Sequence, residues 1–596
     1  MSRFSSRFAL LMGLMLFLGG TMSGVFEVKR VEANGNIYIR ADGSVDPPDA
    51  PISALDNVTY TFTDNINGSI MVERNNIVID GNGYELQGME SGMGFYLSGI
   101  SNVTIKNTEI KAFGIGIKLD YSSNNTISGN NIANNDYGIY FDSGTSHDSI
   151  IGNVFVNDGL YVWGSTDGNV VVDNSVNGKP LVYFEDVSDI VVEDAGQVIL
   201  IDCTRIRVEN LSLSNTVVGV YLCRTNYTFV VGNHITNNSD DGIWLYESSN
   251  NSIAGNDVTS NGNEGIYLFS SSDNTIGNNT LMSNRVRGIS VGGASVNQLS
   301  SNNIIINNNV TDNECGFQFW GGGEYYNTVM NNRVNSNGAG IELGDNVRYN
   351  TFVGNAISNN DYGIYLHLSS DNKFYHNNLI NNSVQVYSGS STNVWDDGYP
   401  SGGNYWSDYT GVDLKNGFYQ NETGSDGVGD IAYSISAANQ DNYPLVGIFN
   451  AYDITYYTPP FVSHACNVTV ISNSTISDFV APIWIEHPEV IFLQFNVSGE
   501  EGSTGFCRVS FPTAMMNGTC HVSVNGTEIP YTLLPCSDAN YSYLYFNYTH
   551  STQEVIIIPE FPSSLIILFF MTATLLAVTV YRRSALGCCK IGVKWF

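Results

Sequence analysis

Residues 242–268 run Gly242-Ile-Trp-Leu-Tyr-Glu-Ser-Ser-Asn-Asn-Ser-Ile-Ala-Gly-Asn256 and on through Asp257-Val-Thr-Ser-Asn-Gly-Asn-Glu-Gly-Ile-Tyr-Leu268. Short stretches of alternating apolar residues are divided by Asn, Gly, Ser and Asp, and alternation with period two means strands. The pattern repeats in both directions. Apolar-Gly-Asn or a close variant ends at Asn130, Asn153, Asn174, Asn210, Asn233, Asn256, Asn279, Asn302, Asn332, Asn355 and Asn377. The spacings are 23, 21, 36, 23, 23, 23, 23, 30, 23 and 22. Gly138-Ile-Tyr-Phe141, Gly159-Leu-Tyr-Val162, Gly219-Val-Tyr-Leu222 and Gly363-Ile-Tyr-Leu366 echo the opening, and Asn125-Thr-Ile, Asn274-Thr-Ile, Asn297-Gln-Leu and Asn350-Thr-Phe echo the middle.

Strands this short make no core alone and must stack on their copies in the next unit. Two or three of them in about 23 residues give an all-β, right-handed parallel β-helix. Its coils lie about 4.8 Å apart, with inward residues in apolar columns and turn Asn residues bonded to their copies. Leucine-rich repeats share the period, but their Leu-dense helical half is missing, and propeller blades are longer.

The 596 residues carry 24 Lys+Arg against 57 Asp+Glu, a net charge of −33. That balance excludes nucleic acid and an anionic membrane surface as partners. Only 14% of residues are charged while 42% are hydrophobic, so the chain is neither disordered nor saturated with carboxylates. Both ends read as addresses. Arg3 and Arg7 precede the short apolar run Phe8–Leu18, which predicts a signal peptide over 1–33 with Val31-Glu32-Ala33 offering cleavage. Residues 565–581 are apolar and lead into Arg582 and Arg583, which predicts one membrane helix and a basic cytoplasmic tail in the segment 556–596. The part between is expected outside the cell. Nineteen Asn-X-Ser/Thr sequons fit export, as sites for glycans.

The solenoid is expected over 34–450, closed by an acidic, Gly-rich cap at 393–447. Over 451–555 longer alternating strands such as Val490–Val497 and Tyr541–Tyr548, with Asn-Gly turns at 517 and 525, predict a small antiparallel β-sandwich. Cys466, Cys507, Cys520 and Cys536 there allow three pairings.

The repeats resemble those of NosD-type and carbohydrate-binding, sugar-hydrolase β-helix proteins. Ile37–Pro48 and Trp395-Asp-Asp-Gly-Tyr-Pro-Ser-Gly-Gly-Asn-Tyr-Trp-Ser-Asp-Tyr409 are similar to the flanks of surface members of that group. Pro559-Glu-Phe-Pro-Ser563 resembles the PEF-type sorting signal of archaeal surface proteins. The resemblance implies a fold and an address; the fold hosts lyases, hydrolases, epimerases, adhesins and metal-delivery accessories, and so implies no single activity.

In Gly-Ile-Tyr-Leu the residue between Ile and Leu points outward. Aligning the repeats gives one outward file of Lys118, Tyr140, Tyr161, Tyr183, Tyr221, Trp244, Tyr267, Ser290, Gln318, Glu342 and Tyr365. A second holds Asp120, Asp142, Trp163, Glu185, Cys223, Tyr246, Phe269 and Trp320. An aromatic face from 140 to 269 suits the stacking of sugars, although Tyr ladders also serve stability. Asp120, Asp142 and Glu185 flank it as candidate carboxylates. The first two are one coil apart, near the roughly 5 Å of a retaining glycosidase. Asp240-Asp241-Gly242 resembles the paired Asp of polygalacturonases but lacks that motif's companions, and reads as turn chemistry. Asp396, Asp397, Asp426 and Asp430 are candidates for Ca²⁺, without the spacing of a Ca²⁺ loop, and otherwise serve as a hydrogen-bonded cap. The scattered His residues argue against copper. Cys203 and Cys223 are a candidate disulfide on adjacent coils.

Three readings follow. One is a membrane-anchored surface protein that binds polysaccharide or a cell-surface glycan or protein through the aromatic face, without a cofactor. Another is a polysaccharide-active hydrolase, lyase or epimerase using Asp120, Asp142 or Glu185. The third is a purely structural envelope or adhesion element.

Overall fold

The computed structural model describes residues 35–559 except 143, 165–167, 295–297, 322, 459–461, 482–491 and 517–518. The expected signal peptide and membrane helix lie outside the described residues. Among the described residues there is no helix, and so none long and apolar enough to cross a membrane.

The repeat folds as coils of a parallel solenoid of about 15 turns. Strands Ile243–Tyr246, Ser252–Ala254 and Asp257–Thr259 form one coil. Each pairs in parallel with its copy one coil on, Glu264–Phe269, Thr275–Gly277 and Thr280–Met282. Inward Ile243, Ile266, Ile289, Phe317, Ile341 and Ile364 make one column, each fully buried. Turn Asn residues make the predicted ladders. Asn256 donates from N and Nδ2 to Oδ1 of Asn279, both at 2.9 Å, and Asn279 does the same to Asn308. The residue before such a rung often takes a left-handed turn, as Asn278 does at φ 56°, a conformation Asn tolerates. Gly265 is required by close approach: a Cβ there would lie 2.7 Å from the carbonyl oxygen of Gly288.

The solenoid is two stacks. The first ends at Ser175–Val176, and Asn177 (φ 51°) and Gly178 (φ 80°) turn the chain back so that Val176 faces Lys179 antiparallel. A type I′ hairpin needs left-handed conformations at both turn positions, and Asn-Gly supplies them. The returning strand Lys179–Glu185 then pairs in parallel with Gln197–Ile201 and begins the second stack. The third sheet of the first stack thereby continues as the first sheet of the second, one sheet of 16 strands, here called the long sheet. The other two sheets of the first stack stop.

Their open end is closed by the outer face of the second stack. Leu160, in the last strand of the first sheet, donates from N to Oε1 of Gln197 (3.0 Å), and Gln197 Nε2 donates back to Leu160 O (2.8 Å). One amide side chain replaces a missing strand. Ile199, Ile201, Val217, Val218, Tyr221, Cys223 and Trp244 complete the apolar core of the first stack.

This junction corrects several registers read from the repeats. The outward file is two ladders. Lys118, Tyr140 and Tyr161 belong to the first stack. Tyr183, Ile199, Tyr221, Trp244, Tyr267, Ser290, Gln318, Glu342 and Tyr365 belong to the second, with Ile199 between Tyr183 and Tyr221. Asn308, not Asn302, is the rung between Asn279 and Asn332, and Leu211, not Asn210, lies beneath Asn233. Cys203 is level with Thr225 while Cys223 is level with Ile201, so the two thiols are not bonded.

Beyond the last coil Trp395 and Trp406 cover the core. Their indole N–H groups donate to Asn439 Oδ1 (3.0 Å) and Asp441 Oδ2 (2.9 Å). Residues 448–559 form two five-stranded antiparallel sheets whose inward residues, among them Val470, Phe495, Val509, Val522 and Ile557, share one core. Cys466, Cys507, Cys520 and Cys536 are unpaired thiols.

Candidate functional site

Burial divides the aromatic residues read from the sequence. Trp244 and Tyr221 are 2% exposed and Tyr161 7%, and their rings pack on one another with centroids 4.5 Å (Tyr221–Trp244) and 5.8 Å (Tyr161–Trp244) apart. They hold the two stacks together and offer no surface to a ligand, which corrects the expectation that they form an exposed binding face. The Trp244 Nε1 atom finds no hydrogen-bond acceptor there, so its contact is one of ring area. The register put these side chains outward correctly; what lies outside them is the other stack.

The remaining aromatics lie next to the junction: Tyr246, Phe269 and Trp320 form a rim on the long sheet, and Trp163 follows the last strand of the first stack's first sheet. Trp163 is 44% exposed, and Tyr246, Phe269 and Trp320 are half-buried. Tyr246 and Phe269 stack at 5.5 Å, and Trp320 follows at 6.0 Å. Trp320 can lie down because position 292 is glycine, where a Cβ would meet its ring at 2.3 Å, and its Nε1 donates to the buried Ser290 Oγ at 3.1 Å. Tyr140 and Tyr267 are half-buried nearby. Burial, then the charge of Asp142, raises the Tyr140 phenol to about 12. Tyr183 packs against the core of the first stack, and its Oη donates to Glu185 Oε2 at 3.4 Å.

A groove lies on the outer face of the long sheet, and none of the rim aromatics lines it. About 290 Å³ of it is lined by Arg287, Glu314, Cys315, Gln318, Glu342, Asp361 and Tyr362 with small residues between. At its junction end the wall of the first stack meets the floor of the second. Ser239 Oγ donates to Asp136 O at 2.6 Å, and Tyr137 Oη donates to Asp240 Oδ2 at 3.4 Å. Asp241, just before the strand Ile243–Tyr246, and Glu264 sit beneath on adjacent coils. Glu264 N donates to Asp241 Oδ1 at 3.0 Å, and Glu264 Oε1 is paired with Arg287. Burial, and then the charge of Glu264, raises Asp240 to about 6. Asp241 is shifted up further by burial and by Asp240 and Glu264. The corner therefore crowds Asp240 and Asp241 against Glu264, which is the carboxylate paired with Arg287.

The sequence-derived carboxylates are not gathered into one site. Asp142 is paired with Lys118 at 2.8 Å, Asp120 accepts from Tyr96 Oη and Ser98 Oγ at 3.2 Å, and Glu185 belongs to the long sheet, where it accepts from Gly168 N at 3.0 Å. Asp120 and Asp142 are one coil apart as expected, but Lys118 answers the second. In the cap, Asp396 accepts from Gly398 N and Asn442, Asp397 from Ser401 Oγ, Asp426 from Val428 N and Gln420, and Asp430 from Leu414 N and Lys415 N. These bonds tie separate turns, and among the described residues no three His, Cys, Asp or Glu side chains are grouped to hold a metal. Tyr137 and Glu264 were not singled out from sequence. The available signal was Asn177-Gly178 between two alternating runs, which marks a hairpin and hence a change of stack.

The family model described as a right handed beta helix region matches residues 26–176 and 185–329. These two stretches part at the Asn177-Gly178 hairpin. A second model, described as periplasmic copper-binding protein (NosD), matches 298–411. The solenoid is a right-handed β-helix, NosD-like over 298–411. Among solved structures, it is similar in part to the periplasmic alginate epimerase AlgG (14% identity, 57% of this chain and 80% of that one, TM-score 0.22). It is likewise similar to the Azotobacter vinelandii mannuronan C-5 epimerase AlgE6 A-module (14%, 55% and 89%, 0.23). The receptor-binding tailspike of bacteriophage Det7 is a third (10%, 83% and 95%, 0.27). No curated protein matches the chain.

Copper would need soft or imidazole donors brought together. Within the NosD-like stretch His367 is paired with Asp345 on the surface. His376 is buried against Phe449, its Nε2 is 3.1 Å from Ser401 O, and burial lowers its pKa to about 4. The Cys315 thiol donates to Phe317 O at 3.3 Å. These residues do not fit a copper site.

Proposed function

We propose that this NosD-like β-helix is the extracellular part of a surface protein. It binds polysaccharide along the groove of the long sheet, and the segment 565–581 holds it to the membrane. The observation that carries the reading is the set of accessible rings, Trp163 on the first stack and Tyr246, Phe269 and Trp320 on the long sheet, whose outer face also carries a polar groove. Rings of this kind stack on sugar faces, while Gln318 and Glu342 reach hydroxyls. The acidic net charge and the sequons suit an exported protein. Residues 448–559, with their two sheets, stand between the solenoid and the proposed anchor as a spacer domain.

Catalysis by Asp120, Asp142 or Glu185 finds no support in their placement, and binding is the reading favoured here. The test is a panel of soluble polysaccharides run over the full chain, scored for retention and for released product. Retention by the wild-type chain, lost in Phe269→Ala/Trp320→Ala at unchanged folding, supports the proposal. Failure to retain any polymer, or retention untouched by that variant, overturns it.

A further inference from the structure

Apart from the glycan-binding reading, we infer that the seam between the solenoid and the antiparallel domain takes an extended polypeptide, which adds a strand to the edge Ile448–Thr458. This strand keeps eleven residues in regular register with Val462–Ser472 and pairs with a strand on that side only. The other three edges of the two five-stranded sheets are blunted. Thr532–Leu533 has two residues and Thr527–Ile529 has three. Thr475–Val480 shifts register between Ser477 and Val480, where Asp478 takes φ 52°. A long regular edge is a template for a further strand, which is why folds usually shorten or bulge their edges.

One contact fixes where this edge points. Asn378, on the third sheet of the second stack, accepts from Phe449 N at 2.8 Å, and its Nδ2 donates to Phe449 O at 2.9 Å. A side-chain amide thus stands in for a strand partner. Main-chain groups alternate along an antiparallel strand, so the N–H and C=O of Ala451 and Asp453 point the same way as those of Phe449. Among the described residues nothing takes them up as Asn378 takes up Phe449. They border a cleft of about 530 Å³, with residues 449–453 on one wall and Asn331, Arg333, Ala356 and Ser358 on the other. Ala356 and Arg333 follow Asn378 coil by coil in one file, and the small Ala356 leaves the room that Asn378 fills one coil on. The free groups recur every ~6.8 Å along the edge, a spacing that a second extended backbone matches group for group. Arg333 is the one basic residue of the lining, so the segment that fits carries an acidic side chain towards it.

The experiment follows amide hydrogen exchange in the full chain, with the blocked peptide acetyl-Thr-Val-Glu-Val-Thr-amide as the probe. Beside it run the same peptide with Lys in place of Glu, and two forms of the Glu peptide N-methylated on alternate amides, one for each register. In the free chain the amides of Ala451 and Asp453 should exchange about tenfold or more faster than those of Asn450 and Tyr452, which face Val470 and Val468. The Glu peptide should slow both. One N-methylated form should keep that effect and the other lose it, because only one set of amides meets the edge. Arg333→Gln should weaken the Glu peptide about three- to tenfold and leave the Lys peptide no weaker. No slowing by either peptide at millimolar concentration, or equal slowing by both N-methylated forms, would overturn the inference. Slowing by a β-1,4-glucan oligomer in place of the peptides would overturn it too, as would slowing that rises with protein concentration alone. The occupant would then be a sugar or a second copy of the chain.

Discussion

Replacing Trp244 by alanine separates a junction residue from a ligand platform. An indole buries roughly 150–250 Å², worth about 4–6 kcal/mol at ~25 cal/mol per Å². Trp244 is 2% exposed and touches rings from both stacks, Tyr161 and Trp163 from one and Tyr221 and Tyr267 from the other. With partial collapse of the cavity, Trp244→Ala should cost about 3–5 kcal/mol. Its Nε1 has no acceptor, a defect that costs about 1–3 kcal/mol in the folded state. Trp244→Phe removes that defect along with some area and should cost about 1 kcal/mol or less. A long repeat array does not unfold in one step, so the assay is hydrogen exchange at the junction. The reporters are the amides of Leu160 and Ile199 and, as a remote control, Ile341. Trp244→Ala should lower protection at the first two by two to three orders of magnitude, on the scale of about 1.4 kcal/mol per tenfold, and leave Ile341 unchanged. The exposed Trp163→Ala should change protection little. Unchanged junction protection in Trp244→Ala, together with loss of glycan retention, would refute the reasoning and return Trp244 to the binding face.

Asp148 occupies a rung otherwise held by Asn. It accepts from Asn125 N at 2.7 Å, its Oδ2 has no partner, and burial raises its pKa to about 7. Because the folded value lies above the unfolded one, stability falls as pH rises from about 4 through about 7. Asp148→Asn should therefore stabilise the fold by about 2 kcal/mol more at about pH 8 than at about pH 5, read as a larger rise in melting temperature at the higher pH. Asp158 and Asp441, each raised by burial to about 7, impose the same sign on the whole protein, which should melt higher at about pH 5 than at about pH 8 in a thermal scan. Asn279→Ala removes the acceptor of both bonds from Asn256 and the Nδ2 bonds to Asn308 Oδ1 and Ile253 O, leaving the backbone N bond to Asn308, and should cost about 2–4 kcal/mol by denaturant unfolding of the second stack. Gln197→Ala unclips Leu160 at both N and O, and should expose the 160–162 strand to exchange without changing the remote coils.

The coil itself was legible because the constraint repeats. Each inward Ile and each ladder Asn is fixed by an identical neighbour above and below, so the register of Ile243 predicts that of Ile266. Legibility failed where one coil differs from the next. The spacing of 36 between Asn174 and Asn210 held the hairpin at Asn177-Gly178, and averaging the repeat concealed it. From that single turn follow the split of the aromatic file and the burial of Tyr161, Tyr221 and Trp244. The long-range meeting of Tyr137 with Asp240 follows as well. Periodicity states which way a side chain points within its own stack; it is silent about a second stack lying against it. Asp240 and Asp241 read as turn residues for the same reason, since their carboxyl environment comes from Glu264 on the next coil and from the wall of the first stack.

The seating of one stack on the other is tested most directly by cysteine trapping. Asp136 and Ser239 are 103 residues apart and joined by a 2.6 Å hydrogen bond across the junction. Had the coils continued in one uninterrupted stack, these positions would lie about four coils, or ~19 Å, apart. A disulfide requires Cα atoms within about 7 Å. Mild oxidation of Asp136→Cys/Ser239→Cys, read by peptide mass spectrometry, should yield a 136–239 cross-link in most molecules without loss of folding. A folded protein in which those two thiols remain free would contradict the two-stack account.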